Sequence, residues 1–327
     1  YTVEYSTDGE VLNLVYSDGT KGWIPQDDDE VADAPSNSPQ KAIFGFGSTG
    51  SVTGVTNLVN SSGVVAADVS AVGTARSFLA AAGYGTDKAI FAYGTAGGVV
   101  SMSNLVNNSG VVASDVSGVG TARERLAATS YGTDKALFAY GQSNSGNVTT
   151  RNLVNSSGVV AADATGAGTA RQRLAGATYG STGQALFAYG YTSSNLSIKN
   201  LVTNQGVIGN DVTGVGTARR GPAAASYGGD KAIFGYGYSS AYVSMTNLVN
   251  NQGVVAADVT GVGTARVYLA ASGYGGDKAI FGYGEKNGTS FNSMTNLVNN
   301  SGVVATDVTG VGSARVYLAA AGYSLSA

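Results

Sequence analysis

Short runs of apolar residues, broken by polar turn residues, recur along most of the chain, and none keeps a helical spacing long enough to predict a helix. Four kinds of run follow one another, of the types LAAAGY, KAIFGYG, SMTNLV and VVAADV, each six or seven residues long. Runs of this length bounded by Gly, Asn, Ser and Asp are typical of β-strands. The pattern therefore predicts an all-β fold with four strands in each repeat.

The repeat itself is regular. Its KAIFGYG-type run begins at six positions spaced 47 to 49 residues apart, namely Lys41, Lys88, Lys135, Gln184, Lys231 and Lys278. A second phrase, NLVNNSGVVAADVTGVGTAR with small changes, places its closing Arg 19 positions after its first Asn in all six copies. Four short strands in a unit of this size are typical of one blade of a β-propeller. We therefore predict a six-bladed β-propeller over residues 41–327.

The ends of the repeat region predict how such a propeller closes. No LAAAGY-type run precedes the first unit at Lys41, whereas an additional run ends the chain at about residues 316–324. We expect this C-terminal strand to complete the first blade, which hides both sheet edges. The Tyr residues that end the first strands, and the Phe and Tyr residues of KAIFGYG, are predicted to pack between blades.

The first 40 residues differ in composition from the repeats. Residues 1–25 alternate apolar and polar positions around the turns Asp8-Gly9 and Asp18-Gly19, which predicts a small β-meander. Residues 26–40 are acidic and contain Pro and Ser, which is typical of a linker. This N-terminal arm carries nine acidic residues and one Lys. We expect it to attach the protein to other proteins in an oligomeric assembly.

Composition excludes several kinds of chemistry. The chain has no Cys and no His, which excludes disulfides, zinc sites built on these residues, cysteine nucleophiles and imidazole-based triads. No apolar run approaches 18 residues, so we expect no membrane insertion. A net charge of −3 disfavours nucleic acid as a partner. We predict no catalytic residues, no metal and no cofactor, and expect a protein that is not an enzyme.

One acidic residue precedes each closing Arg by eight positions. We interpret these residues as a structural latch of ion pairs or hydrogen bonds between blades; a ring of Arg side chains that grips anions at the channel mouth is the alternative. The latch residues are Asp68, Arg76, Asp115, Arg123, Asp163, Arg171, Asp211, Arg219, Asp258, Arg266, Asp307 and Arg315.

The charges that do not repeat are net positive and lie between the second and third strands or just after the closing Arg. Loops at these two places open on the same face of a propeller, which predicts a ligand-binding face; neutral drift of exposed loops is the alternative. The loops are rich in Ser, Thr, Asn, Gly and Tyr, which suits hydrogen bonding and stacking on sugars. The candidate ligand-binding residues are Arg125, Arg151, Arg173, Lys199, Arg220, Lys286, Tyr191, Tyr238, Tyr242 and Phe291.

The order of these features carries a resemblance. An Arg, a short apolar strand, a turn, a second strand ending in Gly, a variable loop and two further strands resemble the kelch repeat of galactose-oxidase-type propellers over residues 41–327. The kelch Gly-Gly doublet is replaced here by Gly-Tyr-Gly or Ala-Tyr-Gly, and the kelch Trp is absent. The phrase TNLVNNSGVVAADVTGVGTAR is also similar to repeat proteins of marine bacteriophage virions and tails, which implies a virion surface protein.

Together these observations predict a non-enzymatic phage virion protein, in the tail or a fibre, that binds a host surface polysaccharide through the variable-loop face. The N-terminal arm would bind other virion proteins. Two alternatives stay open: a purely architectural protein that decorates a virion or filament, and a bacterial adhesin or lectin that is secreted or held at the cell surface.

Overall fold

The computed structural model describes residues 38–70 and 72–327, together with four short strands among the first 37 residues. The chain divides into two compact units, Tyr1–Asn37 and Ser38–Ala327. In the first unit, Leu14–Asp18 pairs antiparallel with Gly22–Pro25, and Val3–Glu4 pairs antiparallel with Ala32–Asp33. The second pairing places a strand inside the segment predicted to be a linker.

Asp18, of the predicted turn Asp18-Gly19, is the last residue of the Leu14–Asp18 strand, and the next strand begins at Gly22, whereas Gly19 lies outside the described residues. The predicted turn at Asp8-Gly9 lies outside the described residues.

The second unit is built of small antiparallel sheets, an arrangement compatible with a β-propeller. Six of these sheets have three strands, and we number them by the chain order of their middle strands. Sheet 1 contains Ala319–Tyr323, Lys41–Gly45 and Thr56–Val59; sheet 2 contains Ala80–Tyr84, Lys88–Ala92 and Ser103–Val106; sheet 3 contains Ala127–Tyr131, Lys135–Ala139 and Arg151–Val154. Sheet 4 contains Ala175–Tyr179, Gln184–Ala188 and Lys199–Val202; sheet 5 contains Ala223–Tyr227, Lys231–Tyr238 and Tyr242–Val249; sheet 6 contains Ala270–Tyr274, Lys278–Gly282 and Thr295–Val298.

Two short hairpins complete the strands of this unit. They pair Gln142–Ser143 with Gly146–Asn147, and Glu285–Lys286 with Ser290–Phe291. The part of the chain that the structure describes contains no helix long and apolar enough to cross a membrane.

Sheet 1 joins the two ends of the repeat region. Ala319–Tyr323 pairs antiparallel with Lys41–Gly45, from Ala319 opposite Gly45 to Tyr323 opposite Lys41. The same register holds in sheet 2, where Ala80 lies opposite Ala92 and Tyr84 opposite Lys88. The strand at the C-terminus is therefore equivalent to the first strand of every other sheet.

Two series of backbone hydrogen bonds link neighbouring sheets at the two ends of their first strands. In the first series each N–H donates to the carbonyl of the preceding sheet, and the bonds run from Arg125 to Phe78, Arg173 to Arg125, Gly221 to Arg173, Tyr268 to Gly221, Tyr317 to Tyr268 and Phe78 to Tyr317. The second series runs from Gly85 to Asp134, Gly132 to Gly183, Gly180 to Asp230, Gly228 to Asp277, Gly275 to Gln40 and Ser324 to Asp87. Gln40, predicted to be in the linker, thus belongs to the second unit.

The predicted fourth strand is a bulged edge segment instead of a regular strand. Next to sheet 1, Ala66 N–H donates to the Leu58 carbonyl, and Thr56 and Val69 exchange both backbone hydrogen bonds. The two pairings differ by one residue in register, which is the signature of a β-bulge. The side chain of Asn57 donates to the Ala66 carbonyl, 3.0 Å away, and so takes part in the pairing at this point. The four-strand prediction is therefore replaced by three strands and a bulged segment.

The core lies between neighbouring sheets. One cluster combines Ile43 of sheet 1 with Phe91 and Val106 of sheet 2, all fully buried. A side chain at Gly45 would meet the Phe91 ring at 2.8 Å, so the Phe91 ring packs closely against this strand. Five more clusters combine the same kinds of residue from neighbouring sheets. The repeated aromatic residues therefore pack between sheets, as their spacing predicted.

Candidate functional site

Six residues meet where the first series of backbone hydrogen bonds links the sheets. We call this set the central cluster, and it consists of Phe78, Arg125, Arg173, Gly221, Tyr268 and Tyr317. Each stands two positions after a closing Arg, and each has a φ between 54° and 63°, in the left-handed region. Because the backbones of all six are bonded to one another, their side chains are held at the same end of the first strands.

Three aromatic rings and two guanidinium groups of the central cluster stack on one another. Phe78 stacks on Tyr317 with ring centroids 3.8 Å apart, and Tyr317 lies 4.7 Å from Tyr268. The guanidinium of Arg125 lies 4.6 Å from the Phe78 ring, and that of Arg173 lies 5.5 Å from the Tyr268 ring. The result is an arc of three aromatic rings with an arginine at each end.

Gly221 is the member without a side chain, and its place is taken by Tyr268. A Cβ at Gly221 would lie 2.7 Å from the Cδ1 atom of Tyr268. The missing side chain therefore lets the Tyr268 ring lean over Gly221 toward Arg173.

The two arginines of the central cluster differ in their partners. Arg125 Nη1 lies 3.1 Å from the Glu124 carboxylate and 2.5 Å from the Gln142 amide oxygen. Arg173 makes no ion pair and no side-chain hydrogen bond within the described residues, and its Nε atom, like that of Arg125, is buried without an acceptor. Its guanidinium lies instead between the rings of Tyr268 and Tyr191, the latter 5.8 Å away.

Residues at or beside the loops of sheets 4, 5 and 6 extend this surface, among them Tyr238, which ends a second strand, and Tyr242, which begins a third strand. Arg220 lies 4.4 Å from the Tyr238 ring and 5.2 Å from the Tyr191 ring. Tyr238 is in edge-to-face contact with Tyr242, whose hydroxyl donates to Glu285 at 2.7 Å. Burial, and then the Glu285 carboxylate, raise the pKa of Tyr242 to about 12. These loops lie beside the central cluster because single β-bridges, such as Gln172 to Tyr191, join them to the residues next to it.

The structure brings together some of the residues predicted to bind ligand and separates others. Arg125 and Arg173 belong to the central cluster, while Arg220, Tyr191, Tyr238 and Tyr242 line the adjoining loops. Lys286 and Phe291 lie in the short hairpin that starts at Glu285.

Arg151 and Lys199 are not in loops, contrary to expectation. Each is the first residue of a third strand and donates to a turn carbonyl of the next repeat unit: Arg151 to Gly206, and Lys199 to Gly253 at 2.9 Å. Lys199 is buried, and burial lowers its pKa. Both cations therefore bind turn carbonyls within the fold and do not belong to the site.

The sequence analysis missed Phe78, Tyr268 and Tyr317. The signal was present, because the position two residues after the closing Arg changes from unit to unit while its surroundings repeat. Its aromatic members resemble the packing residues of the repeat, and for this reason they were not singled out.

The latch residues join neighbouring units. The Asp115 carboxylate accepts hydrogen bonds from the backbone N–H and the hydroxyl of Thr74, at 2.9 and 2.7 Å, and from Asn104 at 2.9 Å. Arg76 of the preceding unit lies 3.9 Å from Asp115. For five of the six closing Arg residues, all but Arg123, the ionic partner is therefore the Asp of the following unit and not the Asp eight residues before it. Asp68 makes the equivalent bonds to Ser313, at 2.6 to 3.1 Å.

The six closing Arg side chains are fully buried, which contradicts the alternative that they line a channel mouth. Arg123 shows their common arrangement. Its guanidinium donates to the carbonyls of Thr121 and Tyr140, at 3.1 and 3.0 Å, and lies 4.1 Å from the Tyr93 ring. A buried cation held in this way is part of the packing between units.

The latch carboxylates predict acid sensitivity. Burial raises the pKa of Asp115, but hydrogen bonds from Thr74 and Asn104 and the charge of Arg76 outweigh it, so the pKa is lowered; the other five Asp show the same balance. A depressed folded-state pKa stabilises the protein above the unfolded value of about 3.9, and this contribution is lost as pH falls through the folded value.

We expect the melting temperature to fall steeply below pH of about 4. Asp115→Asn should melt lower than the wild type at pH 7 and lose less on acidification; equal acid losses in both proteins would contradict the assignment.

Within the described residues, no group of three or more Asp or Glu is placed to hold a metal ion. Comparison with known proteins finds no protein-family model and no curated protein that matches this chain.

Proposed function

We propose that the second unit is a closed six-bladed β-propeller, and that it acts as a non-enzymatic binding module for surface glycans. The pairing of Ala319–Tyr323 with Lys41–Gly45 supports closure. So do the two series of hydrogen bonds: the first returns to Phe78, where it starts, and the second, which starts at Gly85, returns to Asp87 in the same turn. The glycan would bind on the face formed by the central cluster and the adjoining loops.

The observation that carries this proposal is where the chain departs from its own repeat. The Phe of KAIF is present and fully buried in all six units, as packing requires. Two residues after the closing Arg, by contrast, the units supply three aromatic residues, two arginines and a glycine at one meeting point. A tyrosine offers an apolar ring face and a hydroxyl group, and the neighbouring loops offer polar side chains. This combination suits a sugar, whose surface is partly apolar and partly hydroxylated.

We further propose that the protein lies on a phage virion surface, in the tail or a fibre, with residues 1–37 binding other virion proteins. The likeness of its repeat to those of phage virion proteins supports this placement. Many copies on one particle would let weak individual glycan contacts sum to firm attachment to a host.

Binding of the full chain to a glycan array and to bacterial cells tests the proposal. Tyr268→Ala combined with Tyr317→Ala should weaken glycan binding about a hundredfold or more, since aromatic residues at the centre of an interface contribute about 2 kcal/mol each. Val64→Ser, on the exposed edge segment, is the matched control and should bind like the wild type. A wild-type chain that binds no glycan and no cell would contradict the proposal.

A purely architectural role is the second candidate, and one observation favours it. Each bulged edge segment exposes a valine side chain by 50 to 62%: Val64, Val111, Val159, Val207, Val254 and Val303. Repeated apolar side chains at a surface are suited to contact with another protein. Under this role, the wild type would bind no cells, and changing these six residues to Ser would abolish incorporation into particles.

A further inference from the structure

We propose that the central cluster binds the carboxylate of an acidic sugar, and that Arg173 is the residue that holds this carboxylate. This inference rests on the proposed glycan binding and names the class of glycan. It follows from the partners of Arg173, from the charge around it and from the shape of its surroundings.

Arg173 is the arginine of this surface that lacks a polar partner. Arg125 is neutralised by Glu124, and Arg220 lies 3.5 Å from the Asn195 amide oxygen. Arg173 has two flanking rings but no acceptor among the described residues. Because a partly buried guanidinium without acceptors is unfavourable, a ligand that supplies acceptors would relieve this cost.

The charge around Arg173 favours an anionic ligand. Arg125 and Glu124 cancel, and the Glu285 carboxylate accepts a hydrogen bond from the Tyr242 hydroxyl. Counting Arg173, Arg220 and Lys286 with Glu285, the surface keeps a net charge of +2. This positive charge attracts an anion to the cluster.

The shape of the surroundings fits a carboxylate attached to a sugar ring. The planar guanidinium fork can donate two parallel hydrogen bonds to a carboxylate. Beside it, the rings of Tyr191, Tyr268 and Tyr317 offer apolar faces, with Tyr268 in contact with both Tyr317 and Arg173. In uronic and sialic acids the carboxylate is bonded directly to the pyranose ring, so the guanidinium and an aromatic face can bind one sugar residue together.

Arg173 can be changed without disturbing the fold. The equivalent positions of other units hold Phe78, Gly221 and Tyr268, and within the described residues the Arg173 guanidinium lies near two aromatic rings without making a hydrogen bond or an ion pair. We therefore choose Arg173→Gln as the test variant and Arg173→Lys as the variant that keeps the charge but loses the fork. Lys88→Gln is the control for net charge, because Lys88 pairs with Asp87 at the other end of a first strand.

The experiment measures binding of the full-length proteins to immobilised sialic-acid-terminated and uronic-acid-containing oligosaccharides, to their carboxyl-reduced forms and to sulfated oligosaccharides. We expect the wild type to prefer the carboxylated forms about tenfold or more, and Arg173→Gln to lose that preference. Arg173→Lys should keep only part of it, and Lys88→Gln all of it. Thermal melting checks that each variant is folded.

Three outcomes would overturn the inference. Equal binding to carboxylated and carboxyl-reduced sugars would contradict the proposed carboxylate site but would still be consistent with glycan binding. Equal or stronger binding to sulfated sugars, or equal losses in Arg173→Gln and Lys88→Gln, would show attraction by charge alone. A wild type that binds none of these saccharides and no cells would instead contradict the proposed function, glycan binding itself.

Discussion

Deleting residues 316–327 is expected to prevent the second unit from folding cooperatively. The deletion removes the first strand of sheet 1 and with it the buried side chains of Val316, Leu318 and Tyr323. It also interrupts both series of hydrogen bonds between sheets, at Tyr317 and at Ser324. Losing one large buried side chain costs about 2–5 kcal/mol. Losing three therefore costs about as much free energy as the 5–15 kcal/mol by which a typical domain is stable.

Calorimetry and circular dichroism of the truncated chain measure this effect. Removing only residues 325–327 is the matched control, because Ser326 and Ala327 are exposed, and it should leave the melting transition nearly unchanged. Adding a peptide of residues 316–327 should restore part of the transition. If the chain ending at residue 315 melts cooperatively within a few degrees of the wild type, the role given to the C-terminal strand is wrong.

Replacing Arg123 by Met should destabilise the protein by about 3–5 kcal/mol, the cost of breaking a buried charged network. The Arg123 side chain is fully buried, and its loss leaves the Tyr140 carbonyl and the Asn152 amide oxygen, 3.0 and 2.8 Å from its nitrogens, without this donor. It also removes the cation stacked on Tyr93. For a chain of this size we expect the melting temperature to fall by roughly 10 °C.

Arg125→Met is the control two residues away. The Arg125 side chain is 23% exposed and pairs with Glu124 near solvent, where an ion pair contributes about 0–1 kcal/mol. Thermal and urea unfolding of the two variants should therefore separate them clearly. Equal losses of stability would mean that the buried arginines do not hold neighbouring units together.

Much of the architecture could be predicted from the repeat, because packing between identical units imposes identical residues. The Phe of KAIF and the Tyr that ends each first strand recur since every sheet buries them against the next. The half-unit at the C-terminus likewise predicted the strand that pairs with Lys41–Gly45. Such features repeat at a fixed interval in the chain, so their spacing reveals them.

Other features depend on which units become neighbours in space. The bond from the Ser313 hydroxyl to the Asp68 carboxylate joins residues 245 positions apart. Asn57 also donates to Asp68, and although Asn57 recurs in the repeated phrase, its spacing does not reveal this partner. The bulge beside sheet 1 arises because Asn57 also bonds the Ala66 carbonyl.

The candidate site shows the same division between chain order and three-dimensional arrangement. Sequence patterns alone were enough to find an all-β repeat, its unit length and the excess of positive charge in the variable loops, because each is local or periodic. Only the folded chain decided that Arg173 meets Tyr268 across Gly221, while Lys199, of the same charge, turns inward to Gly253. The physical reason is that a side chain's partners depend on distance in space, which neighbouring sheets set and which chain order alone does not contain.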